Sequence, residues 1–487
     1  MMIKQILSPF VFTAIVVLAH AQDRVYSQAT AAVPDSVVTF ASSLYKPNSF
    51  LRTLFMGKNY RSEWEQKVTL PVFYFSGSGF RIKELGGGMQ TKSLHMIDSL
   101  GKEWSLRTVD KDVSAAPVAF LQSSLGQKVA QDMISSAFPY GAVLAGELSH
   151  AAGLRTARPR VYFIADDSGL GPYRSLFANT LCTLEERDPG FDNTDDSETV
   201  LDNLTKENRF KIQQLVLLRA RILDMLMADW DRHADNWRWG RADSADFTFY
   251  YAVPRDRDWA FYKSKGWIPK VVQLTGAMRC FVPFGPELKN IKDLSWKAWT
   301  MDKTFLNEMT GADWEKTIQH LQAALTDDVL EAAVKKLPVS IFETDGQWFI
   351  QSLKRRRDVL KKEVMKYYRF LAEEPIVNGS NANERFVIAS DDNGLTVTVY
   401  SLDAEQRKLY ERRFLSAETY FITLNGLGGA DVFEVKENCR SKIRLIINGG
   451  DGEDHYNLKG NIRTTVKDAA SDKNVLLFKG TAKVHFK

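Results

Sequence analysis

Between Asp224 and Trp239 the chain reads DMLMADWDRHADNWRW, and within it Asp231 and Asn236 stand five positions apart with Arg232 and His233 between them. Phosphoryl transfer uses such a pair: a carboxylate orients or accepts the proton of the attacking hydroxyl, and an amide oxygen holds a magnesium ion. A second metal ligand belongs on a strand further on. Tyr250 to Phe261 reads YYAVPRDRDWAF, an apolar strand running into Arg255-Asp256-Arg257-Asp258. Side chains two apart on an extended chain share a face, so Asp256 and Asp258 are expected to point the same way. Asp258, followed by Trp259, is the preferred magnesium ligand and Asp256 its substitute. His233 is expected to buttress the loop. The plainer reading is a salt-bridged helix end in which Asp231 and Asp235 pair or cap locally; the acid-rich strand end downstream weighs against it.

Such ligands need a triphosphate held opposite them. Leu85-Gly86-Gly87-Gly88-Met89-Gln90-Thr91-Lys92-Ser93 lies between strand-like runs. Glycines let a backbone approach a ligand closely, and the N–H groups of such a loop, with Gln90, Thr91 and Ser93, suit phosphate oxygens. Trp104 to Val109 should be the third strand and carry the phosphate-pairing cation, which is Arg107 or the later Lys111. An arginine's planar fork differs from a lysine's point charge. On the helical stretch Val129 to Ala152, broken at Pro139, Asp132 is the acid expected to orient that cation, ahead of Glu147. Thr180 to Arg187 is expected to link two lobes. Arg209 to Trp230 has apolar residues at helical spacing and should deliver the chain into the Asp231 loop. Further helices are expected at 289–309, 312–336 and 346–373.

The Asp-Arg-His-x-x-Asn order resembles atypical kinases of the phosphoinositide-kinase, HipA and CotH types. In ordinary kinases the Asp-to-Asn interval is also five, but the His and Arg precede the Asp. The resemblance implies an α+β, two-lobed fold with a β-rich N-lobe (51–187) and a helical C-lobe (188–374), binding ATP and Mg2+. A narrower resemblance rests on LGGGMQTKSL, WSLRTVDKD, QDMISSAFPY, the WDRH and PRDRD blocks and the late GLGGADVF. Together they are similar to a module of exported bacterial proteins that joins a calcineurin-like metallophosphoesterase to a surface-antigen outer-membrane barrel. This chain lacks the Asp-x-His and Gly-Asn-His motifs of the phosphoesterase, so no hydrolase activity is implied. A barrel protein or other envelope component becomes an expected partner.

Composition sets the remaining bounds. With 487 residues, 44% hydrophobic and 11% aromatic, several domains with a sizeable core are expected. A net charge of +4 is too mild to imply nucleic acid. Residues 1–21 have a lysine, an apolar run and an Ala-His-Ala end, the pattern of a secretory signal peptide; no Cys follows, so no lipid anchor is expected. Export to the periplasm or outer membrane follows, with 22–50 as a leader. Cys182, Cys280 and Cys439 are too few and too dispersed for a disulfide framework.

From 375 to 487 the texture becomes all-β. Asp391-Asp392-Asn393-Gly394 marks a hairpin. Gly449 to Asn457 (GGDGEDHYN) fits the calcium β-roll nonapeptide, and Gly426 to Glu434 fits it in part, 23 residues earlier. Either a calcium site near Asp454 or glycine-assisted turning in a β-solenoid or sandwich is expected. Three functions follow: an exported atypical phosphotransferase, a pseudokinase-like scaffold of an envelope assembly, and a calcium-dependent binding protein.

Overall fold

Alternating burial builds the N-terminal sheet. The computed structural model describes residues 34–46, 49–87, 91–113, 124–276, 278–469 and 473–486; the expected signal peptide lies outside them, as do Gly88 and Gln90. The strands β1 (Ser36–Thr39), β2 (Val68–Phe73), β3 (Arg81–Gly86), β4 (Ser93–Ile97), β5 (Glu103–Thr108), β6 (Arg160–Ile164) and β7 (Leu181–Glu186) form one sheet in the order β1-β2-β6-β7-β5-β4-β3. One face gathers Leu94, Met96, Leu106, Cys182 and Leu184 against Phe73 and Phe177. The other sets Val68, Leu70, Val161 and Leu181 against Leu144 and Leu148. The expected inter-lobe link at 180–187 is therefore corrected: its alternating residues are buried on both faces, which makes it the interior strand β7, flanked by β5 and β6.

Helices α1 (Phe50–Met56), α2 (Arg61–Glu65), α3 (Ser124–Met133) and α4 (Gly141–Ala151) accompany this sheet, with the break near Pro139 as expected. Then follow α5 (Arg174–Phe177), β8 (Thr194–Asp195), α6 (Ser197–Lys206), β9 (Phe210–Ile212), α7 (Gln214–Met227), β10 (Trp237–Asp243) and β11 (Thr248–Pro254). The short sheet has the order β8-β10-β11-β9. The expected helix from Arg209 starts later, because Phe210 to Ile212 pair in parallel with Thr248 to Tyr250. α7 is the buried axis of the region, covered on every side from Ala220 to Met227. It stops where Ala228 turns left-handed at φ 53°.

The remaining helices are α8 (Trp267–Leu274), α9 (Ile291–Leu294), α10 (Trp299–Phe305), α11 (Gly311–Ala324), α12 (Asp327–Val334), α13 (Val339–Asp358) and α14 (Leu360–Glu373). Each of the three long helices expected here is divided. Thr326 caps α12 by accepting from the Val329 N–H, which ends the run from α11. Among the described residues, no helix is long and apolar enough to cross a membrane. The three cysteines are buried and unbridged.

From Ile376 onward the described residues form strands and turns only. They are β12 (Ile376–Asn378), β13 (Glu384–Asp391), β14 (Gly394–Ser401), β15 (Lys408–Leu415), β16 (Phe421–Gly428), β17 (Val432–Val435), β18 (Arg444–Asp451), β19 (His455–Leu458), β20 (Thr464–Asp468), β21 (Val475–Phe478) and β22 (Lys483–Phe486). One sheet runs β12-β16-β18-β20-β22, parallel throughout. The other runs β15-β14-β13-β17-β19-β21, parallel from β13 onward. Chain passes alternate between the sheets, which is a parallel solenoid with its own core of Ile422, Leu424, Phe433, Leu445, Ile447 and Tyr456. Phe386, Phe433 and Tyr456 stack in register at centroid distances of 4.7 and 5.4 Å.

The 23-residue spacing of the two glycine motifs is one coil, since Val432 stands opposite His455. At the corner before each strand, one acid accepts the N–H of the coil before it. Asp431 takes that of Glu384 at 2.8 Å, Asp454 that of Asp431 at 2.9 Å, and Asn474 that of Asp454 at 2.9 Å. A Cβ on Gly449 would lie 2.2 Å from the Asp454 carboxylate, so glycine is required to make room. These carboxylates serve a corner ladder, the glycine-assisted turning expected as the alternative to calcium at Asp454. Cross-links such as Lys211 Nζ to the Leu409 carbonyl, at 2.5 Å, and Arg412 Nη1 to the Asn307 carbonyl, at 2.6 Å, tie the solenoid to β9 and to the α10–α11 connection.

Candidate phosphoryl-transfer site

A hairpin sets the two chemical segments side by side. β10 and β11 pair so that Trp237 faces Pro254. The residues just before β10, Asp231 to Asn236, therefore meet those just after β11, Arg255 to Asp258. Arg232 stitches them together, donating from Nη1 to the Arg255 carbonyl at 2.6 Å and from Nη2 to the Asn236 carbonyl at 3.0 Å. The Arg255 N–H also donates to the Asn236 carbonyl at 3.0 Å. Arg232 is 1% exposed and lies over the Trp237 ring.

Beneath both segments sits Asp224, fully buried on α7. It receives Arg257 at 2.6 Å, Arg221 at 2.8 Å and Arg232 at 3.2 Å. Despite its burial, these three guanidinium groups hold Asp224 below the usual carboxylate range. Arg221 continues to Asp302 at 2.9 Å, which also accepts from Tyr367 at 2.7 Å. Asp224 thus joins the helix, the Asp231 loop and the Asp256–Asp258 segment through one carboxylate. Among the described residues the nearby Asp229 carboxylate accepts no hydrogen bond, with Arg232 3.9 Å away, and its burial and the Asp224 charge push it up to about 7.

The PRDRD segment divides by sign. Arg255 reaches Glu185 of β7 at 2.9 Å, and Arg257 reaches Asp224. The acids turn the other way, to cations carried by the N-terminal sheet. Asp256 pairs with Arg107 at 2.7 Å, and Asp258 with Lys111 at 2.7 Å. The backbone is not the extended strand expected, because Asp256 has φ 54°. The two acids nevertheless meet the same wall. Sparsely populated backbone at Ala228, Asp256 and Phe261 clusters around this segment, as strain does where a site is over-determined by its surroundings.

These groups line one cleft, together with Thr108, Thr183 and Glu185. Burial raises Asp258 and the adjacent Asp256 charge raises it further, to about 6. Arg107 and Lys111 draw Asp256 far down against the effect of burial. Lys111 is buried, yet Asp258, Asp256 and Asp231 together hold it above its ordinary range. Asp231 is therefore close enough for its charge to act on Lys111, although its own Oδ1 is 2.6 Å from Lys297 Nζ.

Lys297, between α9 and α10, was not among the expected residues. Its ammonium also lies over Trp230, 4.6 Å from the ring centroid. Nothing near Lys297 in sequence announces the partnership. Asn236 donates from Nδ2 to the Asp231 carbonyl. His233 lies 3.9 Å from Asp231 and 3.4 Å from Asp235, at the loop's outer side.

Two other expectations resolve differently. Asp132 does not meet Arg107 or Lys111: it takes Arg61 at 2.6 Å and also binds Arg52, so it anchors α1 and α2 to α3. Glu185, 3.8 Å from Arg107 Nε, is the acid beside the strand cation. The glycine loop is the β3–β4 hairpin, and Ser93 faces Arg107 across β4 and β5, which puts the loop at Arg107's end of the sheet. Gly87, at φ +109°, admits no side chain, since a Cβ would fall 2.2 Å from the Thr91 carbonyl oxygen; on Gly86 it would strike the His95 ring. Gly86, Gly87 and Thr91 thus shape this hairpin.

Asp256 and Asp258, neighbouring carboxylates on this cleft, are oxygen donors of the kind a hard divalent cation takes. Among the described residues no group of three or more His, Cys, Asp or Glu converges as a metal cage.

No protein-family model matches the chain, and no curated protein matches it. Among solved structures, the chain is similar to the Helicobacter pylori proinflammatory kinase CtkA, with 11% identity, a TM-score of 0.33, and 61% of this chain and 99% of that one covered. It is also similar to the Rio2 kinase–ADP/Mg2+–phosphoaspartate complex from Chaetomium thermophilum, at 12% identity, TM-score 0.24, and 57% and 70% coverage. A third is the MAP kinase LmaMPK10 from Leishmania major, at 12% identity, TM-score 0.23, and 59% and 83% coverage.

Proposed function

We propose that the chain is a kinase-type phosphotransferase that takes a magnesium nucleotide between the N-terminal sheet and the α7 loop. The observation that carries this reading is the double pairing of Arg107 with Asp256 and Lys111 with Asp258 across one cleft. It sets phosphate-binding cations opposite cation-binding acids. When bound, magnesium would neutralise the charge that builds on the transferring phosphoryl group. Asp258, Asp256 and the Asn236 Oδ1 would hold the ion, and Arg107 and Lys111 would turn to the phosphates. Asp231 would orient the acceptor hydroxyl, and Lys297 fixes its carboxylate meanwhile. Catalysis by such a site is positioning and charge neutralisation. We assign the N-terminal sheet and the helices to two lobes of a kinase-like fold, and place the activity outside the cytoplasm, after export.

A second reading is a nucleotide-binding or scaffold protein without turnover, serving an envelope assembly. It is favoured by the mutual neutralisation of both cations and both acids, and by Asp231 being engaged with Lys297. Thermal stabilisation by ATP with Mg2+, compared with ATP and chelator, tests the common part. Phosphate release or autophosphorylation, lost in Asp231→Asn while the thermal shift persists, separates the two. A chain that shows no shift with any nucleotide sinks the phosphotransferase and leaves the scaffold.

A further inference from the structure

Two short helices far apart in sequence share one outward apolar surface. α1 and α8 meet at Gly57 and Gly266, where a Cβ on Gly266 would fall 2.3 Å from the Met56 carbonyl carbon. Around that contact the outer faces carry Phe50, Leu54 and Phe55 from α1, and Trp267, Val271 and Leu274 from α8. Phe50 is 81% exposed, Trp267 66% and Leu274 76%. Single exposed apolar residues are ordinary, but six large ones on two touching helices mark an interaction surface.

The charges on these two helices and immediately beside them have one sign. Neither helix contains an Asp or Glu. Lys58 follows α1, Lys265 precedes α8 and Lys270 lies within it; all three are exposed. Among the described residues none of these lysines has an ion-pair partner, whereas Arg52, the other cation of α1, is committed to Asp132.

We propose that this face docks on an anionic lipid surface. Aromatic and aliphatic side chains beside unpaired lysines are the composition of a segment that lies in the headgroup layer rather than spanning the bilayer. Tryptophan prefers that depth, and the negative surface potential attracts each lysine. A second copy of the chain fits poorly. A two-fold contact lays a patch against itself, which would bring lysine to lysine with no acid between them. The inference stands apart from the phosphotransferase reading, because none of these side chains belongs to the cleft.

Co-sedimentation of the full chain with vesicles tests it, using phosphatidylcholine alone and phosphatidylcholine mixed with phosphatidylglycerol. The chain is expected to bind the mixed vesicles and to be released by salt. The variants W267S/L274S and K58E/K265E/K270E should each reduce binding about tenfold or more with unchanged melting temperature, since every altered side chain is exposed or partly exposed. No binding to either vesicle, equal binding to both, or wild-type binding by the double variant would overturn the proposal. So would a wild-type dimer that W267S/L274S converts to monomer, because the face would then be covered by a second copy.

Discussion

Lys111 and Asp258, 147 positions apart, close a 2.7 Å ion pair across the cleft, and the same carboxylate is the magnesium ligand we propose. The pair holds the site in a charge-neutral resting arrangement, and an incoming magnesium nucleotide would exchange it for two new pairs. Asp258→Asn should abolish the Mg-dependent thermal shift by ATP and leave the fold intact, because the amide still accepts from Lys111. Differential scanning fluorimetry with and without chelator reads this. A full shift in the variant would remove Asp258 from the metal site.

The pH dependence of the same shift follows from the coupled acids. A cation needs Asp258 ionised, and burial with the neighbouring Asp256 charge puts its proton loss at about 6. Affinity for the magnesium nucleotide should therefore fall as pH drops through about 6, approaching tenfold per unit below it. Asp256 stays ionised over that range. Asp256→Asn removes the charge that raises Asp258 and should move the midpoint downward. Titration calorimetry between pH 5 and 8 decides it; a midpoint unmoved by the substitution contradicts the coupling.

Lys297 separates binding from turnover. It holds Asp231 at 2.6 Å and touches none of the groups assigned to the nucleotide. Lys297→Met should lower kcat by about tenfold or more, the scale of a misplaced proton-handling group, with the nucleotide thermal shift unchanged. The partly exposed pair contributes at most about 1 kcal/mol to stability. A variant with reduced nucleotide affinity and normal kcat would instead make Lys297 a phosphate ligand.

Asp224 is the structural counterpart. Its carboxylate accepts from Arg221 and Arg257 and lies against Arg232, with no solvent access. Asp224→Ala leaves three buried guanidinium groups short of their counter-ion, and breaking such a buried pair costs about 3–5 kcal/mol. Urea denaturation should show a loss of that size. Asp132→Asn, by comparison, should lower stability and leave the nucleotide shift untouched, because its partners are Arg61 and Arg52.

What was legible in the sequence was local. The five-residue interval from Asp231 to Asn236 and the alternating charges of PRDRD are short-range patterns, and the β10–β11 hairpin brings them together almost automatically. The choice of partner was not legible, because it depends on packing across hundreds of residues. Asp132 sits on the expected helix, but nothing in its neighbourhood shows that Arg52 and Arg61 will claim it. Lys297 and Glu185 are ordinary charged residues until the helices and β7 are in place. Long helices are a different matter: apolar periodicity continues through Thr326 and Val359, while at Thr326 a local side-chain cap starts a new helix. The 23-residue interval between the two glycine motifs was visible from the outset, and its meaning as one solenoid coil required the strand register.

The corner ladder makes a prediction independent of the cleft. Asp431 accepts the Glu384 N–H through Oδ1, while its buried Oδ2 accepts no hydrogen bond from the described residues. Burial first, then the charges of Glu384 and Asp454, raise it from 3.8 to about 8. The folded form therefore keeps a proton that the unfolded chain has released, so its contribution to stability is complete below about 3.8 and is lost as pH rises to about 8. Asp431→Asn places an uncharged amide at this corner, as Asn474 does two coils further along the same ladder. It should retain the accepted N–H, raise stability at pH 8 relative to wild type, and flatten the decline between pH 5 and 8. Thermal or urea melts across that range measure the slope; a variant less stable than wild type at pH 8 would mean that Asp431 is charged in the fold and held by a cation at this corner.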